Sequence, residues 1–223
     1  MIAYGKQDIT ECDIRAVFNV LKSDFLTQGP LVPKFESKLS TITHVDYVTA
    51  VNSATSALHI ACLALDVGEN DIVWTVPNTF VASANCALYC GAKIDFVDID
   101  PFTSNLSIEL LREKLRQAKC ENALPKVVIP VHLSGEPCDM AAIKKLSYEY
   151  GFKIIEDASH AIGGQYQGKP IGCCEYSDIT VFSFHPVKIV TSGEGGAALT
   201  NCPKLDSKLK LLRSHGITRD VEL

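Results

Sequence analysis

The sequence has no Cys-x-x-Cys pair, and its nine cysteines follow no framework spacing, which argues against a disulfide scaffold. Cys62, Cys86, Cys90 and Cys120 fall instead in apolar segments and read as reduced, buried thiols of a cytosolic protein. No apolar run approaches the roughly 20 residues of a membrane span. The opening MIAYGKQDIT has neither the basic start nor the apolar stretch of a signal peptide, so a cytoplasmic location is expected. Basic residues are also short: 21 Lys and Arg stand against 26 Asp and Glu, a formal net charge of -5. That balance argues against nucleic acid or an anionic membrane as the main partner. Repeats, linkers and low-complexity tracts are missing, and no segment is polar enough for disorder. What remains is a 223-residue chain, 47% hydrophobic and 21% charged, expected to fold as one soluble domain.

Helical and strand signals alternate along it. Thr10 with Asp13 resembles a capping box, and Ile14, Val17, Phe18 and Leu21 follow at helical spacing. Tyr47 to Asn52 reads as a strand, and the helix after Ser53 is closed by Gly68. The order then repeats. Ile72 to Val76 is a strand, Phe80 to Cys90 a helix and Ile94 to Val97 a strand. A helix around Ser107 to Lys119, the strand KVVIPV, a helix from Asp139 to Tyr150 and the strand FKIIE complete the run. Alternation of this kind predicts an α/β three-layer sandwich with a mostly parallel sheet. Beyond Gly168 the strands SDITVFSF and GGAALTN precede a last helix carrying Leu209 and Leu212.

In open α/β sheets ligands bind beyond the carboxyl ends of the strands, so the residues there carry the chemistry. After YVTAVN comes SATSA, which fits either a phosphate on free helix N–H groups or a plain N-cap. After IVWTV comes PNTF, where Phe80 is expected in the core or in a staple. After FKIIE comes EDASHAIG: Asp157 suits a positively charged ring nitrogen and His160 a second ligand atom, and an ordinary helix cap fits equally. The fourth stretch, FSFHPVKIVTSGEGG, sets Ser183 and Lys188 beyond a strand among glycines and hydroxyls. A lysine there is either a phosphate clamp or an amine made reactive by burial. Phosphate, aromatic ring, ring cation and aldehyde coincide in pyridoxal 5'-phosphate (PLP).

The ordered motifs NSATSAL, PNTFVASAN, VHLSGEPCDM, IIEDASHAIGG, FSFHPVKIVTSGEGGA and LRSHGI resemble the DegT/DnrJ/EryC1/StrS family of PLP-dependent nucleotide-sugar aminotransferases, from Tyr4 to about Asp220. The resemblance implies the large domain of a fold-type I PLP enzyme, working as a homodimer. It implies that Lys188 binds the cofactor aldehyde and moves the substrate proton, and that Asp157 pairs with the pyridinium nitrogen. His160 is implied at the phenolic oxygen, Phe80 over the ring, and Ala54, Thr55 and Ser183 at the phosphate. Tyr4 and Asp24, Phe25, Leu26 and Thr27 are implied against a sugar nucleotide, with L-glutamate as donor and the C4 ketone of a UDP-linked 4-keto-6-deoxy-N-acetylhexosamine as acceptor. Members with dehydratase activity carry histidine in place of this lysine, so lysine favours amino transfer.

Other readings carry less. GEGGAA fits a dinucleotide motif but precedes a strand, and no four-ligand metal spacing emerges around Cys86 and Cys90 or Cys173 and Cys174; no metal is expected. Family members continue into a small C-terminal domain. Residues 1–223 are therefore expected to be the large domain with its N-terminal segment, truncated relative to the family, and a partial or inactive PLP- or sugar-nucleotide-binding chain is the rival expectation, as is an aminotransferase for another nucleotide-linked keto sugar.

Overall fold

The computed structural model describes residues 5–217. Two helices, α1 (Glu11–Leu21) and α2 (Leu31–Thr43), precede the first strand, β1 (Tyr47–Val51). The alternating run follows as α3 (Ala54–Ala64), β2 (Ile72–Thr75), α4 (Ala82–Tyr89), β3 (Lys93–Phe96), α5 (Ile108–Cys120), β4 (Val127–Val128), α6 (Met140–Tyr150) and β5 (Lys153–Asp157). A small hairpin of β6 (Gln165–Tyr166) and β7 (Lys169–Pro170) leads to β8 (Ile179–Ser183), β9 (Gly196–Thr200) and α7 (Pro203–Arg213).

Seven strands form one sheet in the order β1-β9-β8-β5-β4-β2-β3. All pairings are parallel except those of β9, which runs antiparallel to β1 and β8. The mostly parallel α/β fold read from the alternation is therefore present. Successive strand residues point to opposite faces, and both faces are covered. Val73, Val127, Ile155, Val181 and Ala198 pack with α3 and α4. Their neighbours Trp74, Val128 and Ile154 pack with α5 and α6. At the β1 end, Phe182, Ala197 and Leu199 meet Leu39 of α2.

Several boundaries differ from the sequence reading. The strand in KVVIPV shortens to Val127–Val128 because Pro130 has no N–H to give the ladder, although its carbonyl still accepts from the Asp157 amide at 2.9 Å. Helix α4 starts at Ala82, which leaves Phe80 before it and 71% exposed, so Phe80 is neither core nor staple. No helix follows EDASHAIG: the Asp157 side chain accepts from the Ser159 amide at 3.1 Å and closes a turn, which removes the helix-cap reading. Cys120 is exposed and Cys90 half-buried, so the expectation of buried thiols fails for these two and holds for Cys62 and Cys86. The Thr10–Asp13 capping box forms as expected. The apolar face it introduces is not covered, however: no residue of α1 is buried, and Val17 and Leu21 are 59% and 65% exposed.

Among the described residues no helix is long and apolar enough to cross a membrane, and no group of three or more His, Cys, Asp or Glu is placed to hold a metal.

Candidate active site

Beyond the carboxyl edge of the sheet lies a cavity of about 570 Å³. Four segments far apart in sequence build it. The turn after β1 and the start of α3 supply Ala54 and Thr55, the turn after β2 supplies Thr79 and Phe80, the end of β5 supplies Asp157 and His160, and the end of β8 supplies Ser183 and Lys188. Every cofactor-site residue expected from the sequence thus meets in one place.

The antiparallel course of β9 explains how the first and last segments come together. Gly196 pairs with both Val51 and Ser183, so the amino end of β9 is wedged between the carboxyl ends of β1 and β8. A Cβ on Gly196 would lie 2.4 Å from the Ser53 carbonyl carbon and 2.5 Å from the Ala54 nitrogen, both backbone atoms that cannot move aside. Gly196→Ala is accordingly expected to cost about 3 kcal/mol of stability by overpacking, read as a lower urea midpoint. An unchanged midpoint would show that the wedge is looser than this.

At the head of α3 the Ser53 hydroxyl accepts from the Ser56 amide at 3.1 Å. The amides of Ala54 and Thr55 donate to nothing among the described residues, and the buried Ser183 hydroxyl makes only a 3.5 Å contact, from the His185 amide. Free N–H groups on a helix N-terminus, with a hydroxyl beside them, suit an anion. On the opposite wall Asp157 is 4% exposed. Its Oδ2 accepts from the Ser83 hydroxyl at 2.6 Å and its Oδ1 from the Ser159 hydroxyl at 2.6 Å. A buried carboxylate turned to a cavity suits a cation.

Burial pushes the Lys188 amine below its ordinary value, and the Asp157 charge opposes this. Burial likewise lowers His160, helped by Lys188 and opposed by Asp157. His160 is therefore neutral near pH 7. Its Nδ1 accepts from the Ser134 amide at 3.2 Å, which places the ring proton on Nε2.

Behind Asp157 lies a second buried carboxylate, Glu156, whose partner His132 sequence reasoning missed. Glu156 accepts from His132 at 2.8 Å and from the hydroxyls of Ser177 and Thr180 at 2.9 Å each. Burial disfavours charge on the His132 ring, while the Cys138 thiol and Glu156 favour it. The Cys138 amide donates to Nδ1 at 3.2 Å, and a second ring proton would face that N–H, so His132 is the neutral tautomer with its proton on Nε2. Burial alone would raise the Glu156 carboxyl, but its three donors outweigh burial and hold it below the ordinary value. A lowered folded-state value stabilises the protein above about pH 4.5 and loses that contribution as pH falls through it. Glu156→Gln is expected to flatten the fall of Tm on acidification below about pH 4.5, measured by thermal scans from pH 6 to pH 2. Parallel curves for the two proteins would refute this assignment.

The remaining expected residues lie elsewhere. Asp24, Phe25, Leu26 and Thr27 form an exposed turn outside this cavity, and Tyr4 lies outside the described residues. Of the four, Thr27 lines a neighbouring cavity of about 610 Å³, together with Gln28, Glu36 and Arg213, and Asn52 borders both cavities. Gly193 to Ala198, the dinucleotide-like stretch, runs into β9 rather than opening a helix.

The model of the DegT/DnrJ/EryC1/StrS aminotransferase family matches residues 7–222. The chain belongs to this family. This DegT-type chain is 42% identical over 219 residues to the UDP-4-amino-4,6-dideoxy-N-acetyl-beta-L-altrosamine transaminase of Campylobacter jejuni subsp. jejuni serotype O:23/36, covering 98% of this chain and 56% of the relative. Among solved structures, Helicobacter pylori PseC, an aminotransferase involved in the biosynthesis of pseudoaminic acid, superposes with a TM-score of 0.88 at 33% identity over 98% of this chain and 57% of that one. The PLP form of the putative sugar aminotransferase Spr1654 from Streptococcus pneumoniae gives 0.85 at 31% identity, over 99% and 59%. The DegT-type chain thus spans a little over half the length of the relatives it matches.

Proposed function

We propose that the protein is a PLP-dependent aminotransferase that transfers the amino group of L-glutamate to the C4 ketone of a UDP-linked 4-keto-6-deoxy-N-acetylhexosamine, in pseudaminic acid-type sugar biosynthesis. The observation that carries this is the juxtaposition, in one cavity, of a lysine made less basic by burial and a buried carboxylate, Lys188 and Asp157. The residues fit PLP: the amides of Ala54 and Thr55 and the Ser183 hydroxyl would hold its phosphate, Asp157 its ring nitrogen, His160 its phenolic oxygen through Nε2–H, and Phe80 would cover the ring. When bound, the cofactor supplies an electron sink for the bonds broken at the amino carbon.

The chain's own residues do the rest. Lys188 is the residue whose Nζ would hold the cofactor's aldehyde, and whose amine, when not so engaged, would be the base that takes the α-proton of glutamate. Its depressed basicity keeps a larger fraction of the amine unprotonated near neutral pH. Asp157 keeps its positive partner charged throughout. His160, itself neutral, donates without adding a third charge.

The same proposal takes residues 1–223 as the PLP-binding large domain, with Asp24 to Thr27 and Tyr4 on the sugar-nucleotide side. Exposed Phe80 and Val81 beside the cavity, with Leu88 and Tyr89 on α4, support a homodimer closing over the site. Nine free thiols suit the reducing cytoplasm. Incubating the protein with PLP, L-glutamate and a UDP-linked 4-keto-6-deoxy-N-acetylhexosamine is expected to release 2-oxoglutarate with ping-pong kinetics. Turnover of TDP-linked sugars alone would move the assignment to another branch of the family.

A further inference from the structure

The Asp157 carboxylate does not stand free in its cavity, and the way it is held is specific. A carboxylate has two oxygens and about four acceptor positions. Oδ1 uses two of these on Ser159, taking its amide at 3.1 Å and its hydroxyl at 2.6 Å. Oδ2 takes the Ser83 hydroxyl at 2.6 Å. The count leaves one acceptor position, and it is on Oδ2. Ser83 is 0% exposed, in the first turn of α4, and its hydroxyl lies 2.9 Å from that of Thr79. Ser83 has a single proton and gives it to Asp157, so Thr79 is the donor to Ser83. A line of hydroxyls therefore runs from the cavity wall beside Phe80 to the buried carboxylate.

We propose that Ser83 is a positioning residue for Asp157: its hydroxyl fixes Oδ2, so that the one open acceptor position of the carboxylate meets a cationic ring nitrogen. The inference rests on the PLP reading above and adds to it a residue that touches no ligand. Without the Ser83 hydroxyl, only the two Ser159 donors at Oδ1 restrain rotation of the carboxylate about its last bond, and nothing fixes Oδ2. A buried oxygen also loses a charge-assisted hydrogen bond, the stronger kind.

The test compares two ligands in equilibrium titrations that need no turnover. Pyridoxamine 5'-phosphate carries the ring nitrogen, and its 1-deaza analogue has carbon there, with the same phosphate and the same ring area. Wild-type protein is expected to prefer the first. Ser83→Ala and the near-isosteric Ser83→Cys, whose thiol is a weak donor, are each expected to weaken pyridoxamine phosphate about tenfold and to leave the analogue's Kd unchanged. Equal weakening of both ligands would mean a packing role only and overturn the proposal, as would unchanged affinity for both. Failure of the underlying PLP reading looks different: the wild-type protein would bind neither ligand, or both alike.

Discussion

Replacing Lys188 by alanine is expected to lower amino transfer by at least about 10,000-fold, because one side chain is asked both to hold the aldehyde and to move the proton, and a positioned acid or base alone contributes as much as that. The substitution removes a half-buried amine that carries no structural duty: among the described residues its side chain makes no hydrogen bond. Folding should therefore be untouched, with an unchanged Tm. PLP should still bind through the Ala54 and Thr55 amides and Ser183, detected by equilibrium dialysis, while borohydride no longer fixes it to the protein. Residual transfer within tenfold of wild type would end the assignment of Lys188 as the reactive amine.

The second large effect is at Asp157. Asp157→Asn keeps the size of the group and an oxygen for one of its two serine donors, but removes the charge that faces the cavity. Roughly a hundred- to thousandfold loss in kcat is expected, the range seen when one preorganised electrostatic group is removed from a site. Lys188 is intact in this variant, so borohydride should still attach the cofactor to it. Those paired readouts separate the two residues: one substitution removes trapping as well as transfer, the other slows transfer and leaves trapping intact. Transfer at the wild-type rate in Asp157→Asn would show that the carboxylate does not act on a ring cation.

How much of this was legible in the sequence follows from how far apart the partners are. Asp157 and Lys188 each follow an apolar run that reads as a strand, so their place at the carboxyl edge was visible locally. Ser83 was not. A serine in the first turn of a helix looks like any polar helix residue, and its partner lies 74 positions on. The Glu156–His132 pair was hidden for the same reason, its members 24 positions apart. Helix α2 carries Pro33 in its first turn, where the missing N–H costs nothing, and a proline in a helical pattern is easily taken for a break. At α1 the periodicity and cap were correctly read, but an apolar stripe says only that a cover is wanted, not where it is.

The pairing of Gly196 with Ser183 and Val51 also decides when the cost of ordering the lysine loop is met. Residues 184–195 leave β8 and return as β9, and the loop is pinned at its neck by the Phe184 amide to the Gly195 carbonyl at 2.8 Å and the Ser192 amide to the Phe184 carbonyl at 3.0 Å. Its ends are brought together by the sheet as the chain folds, so the entropy of closure is charged to folding and not to ligand capture. An incoming ligand has to still only the Lys188 side chain. A longer insertion near the tip of this loop should therefore be tolerated by the fold yet weaken capture, since the added slack lies on the ligand's side of the neck.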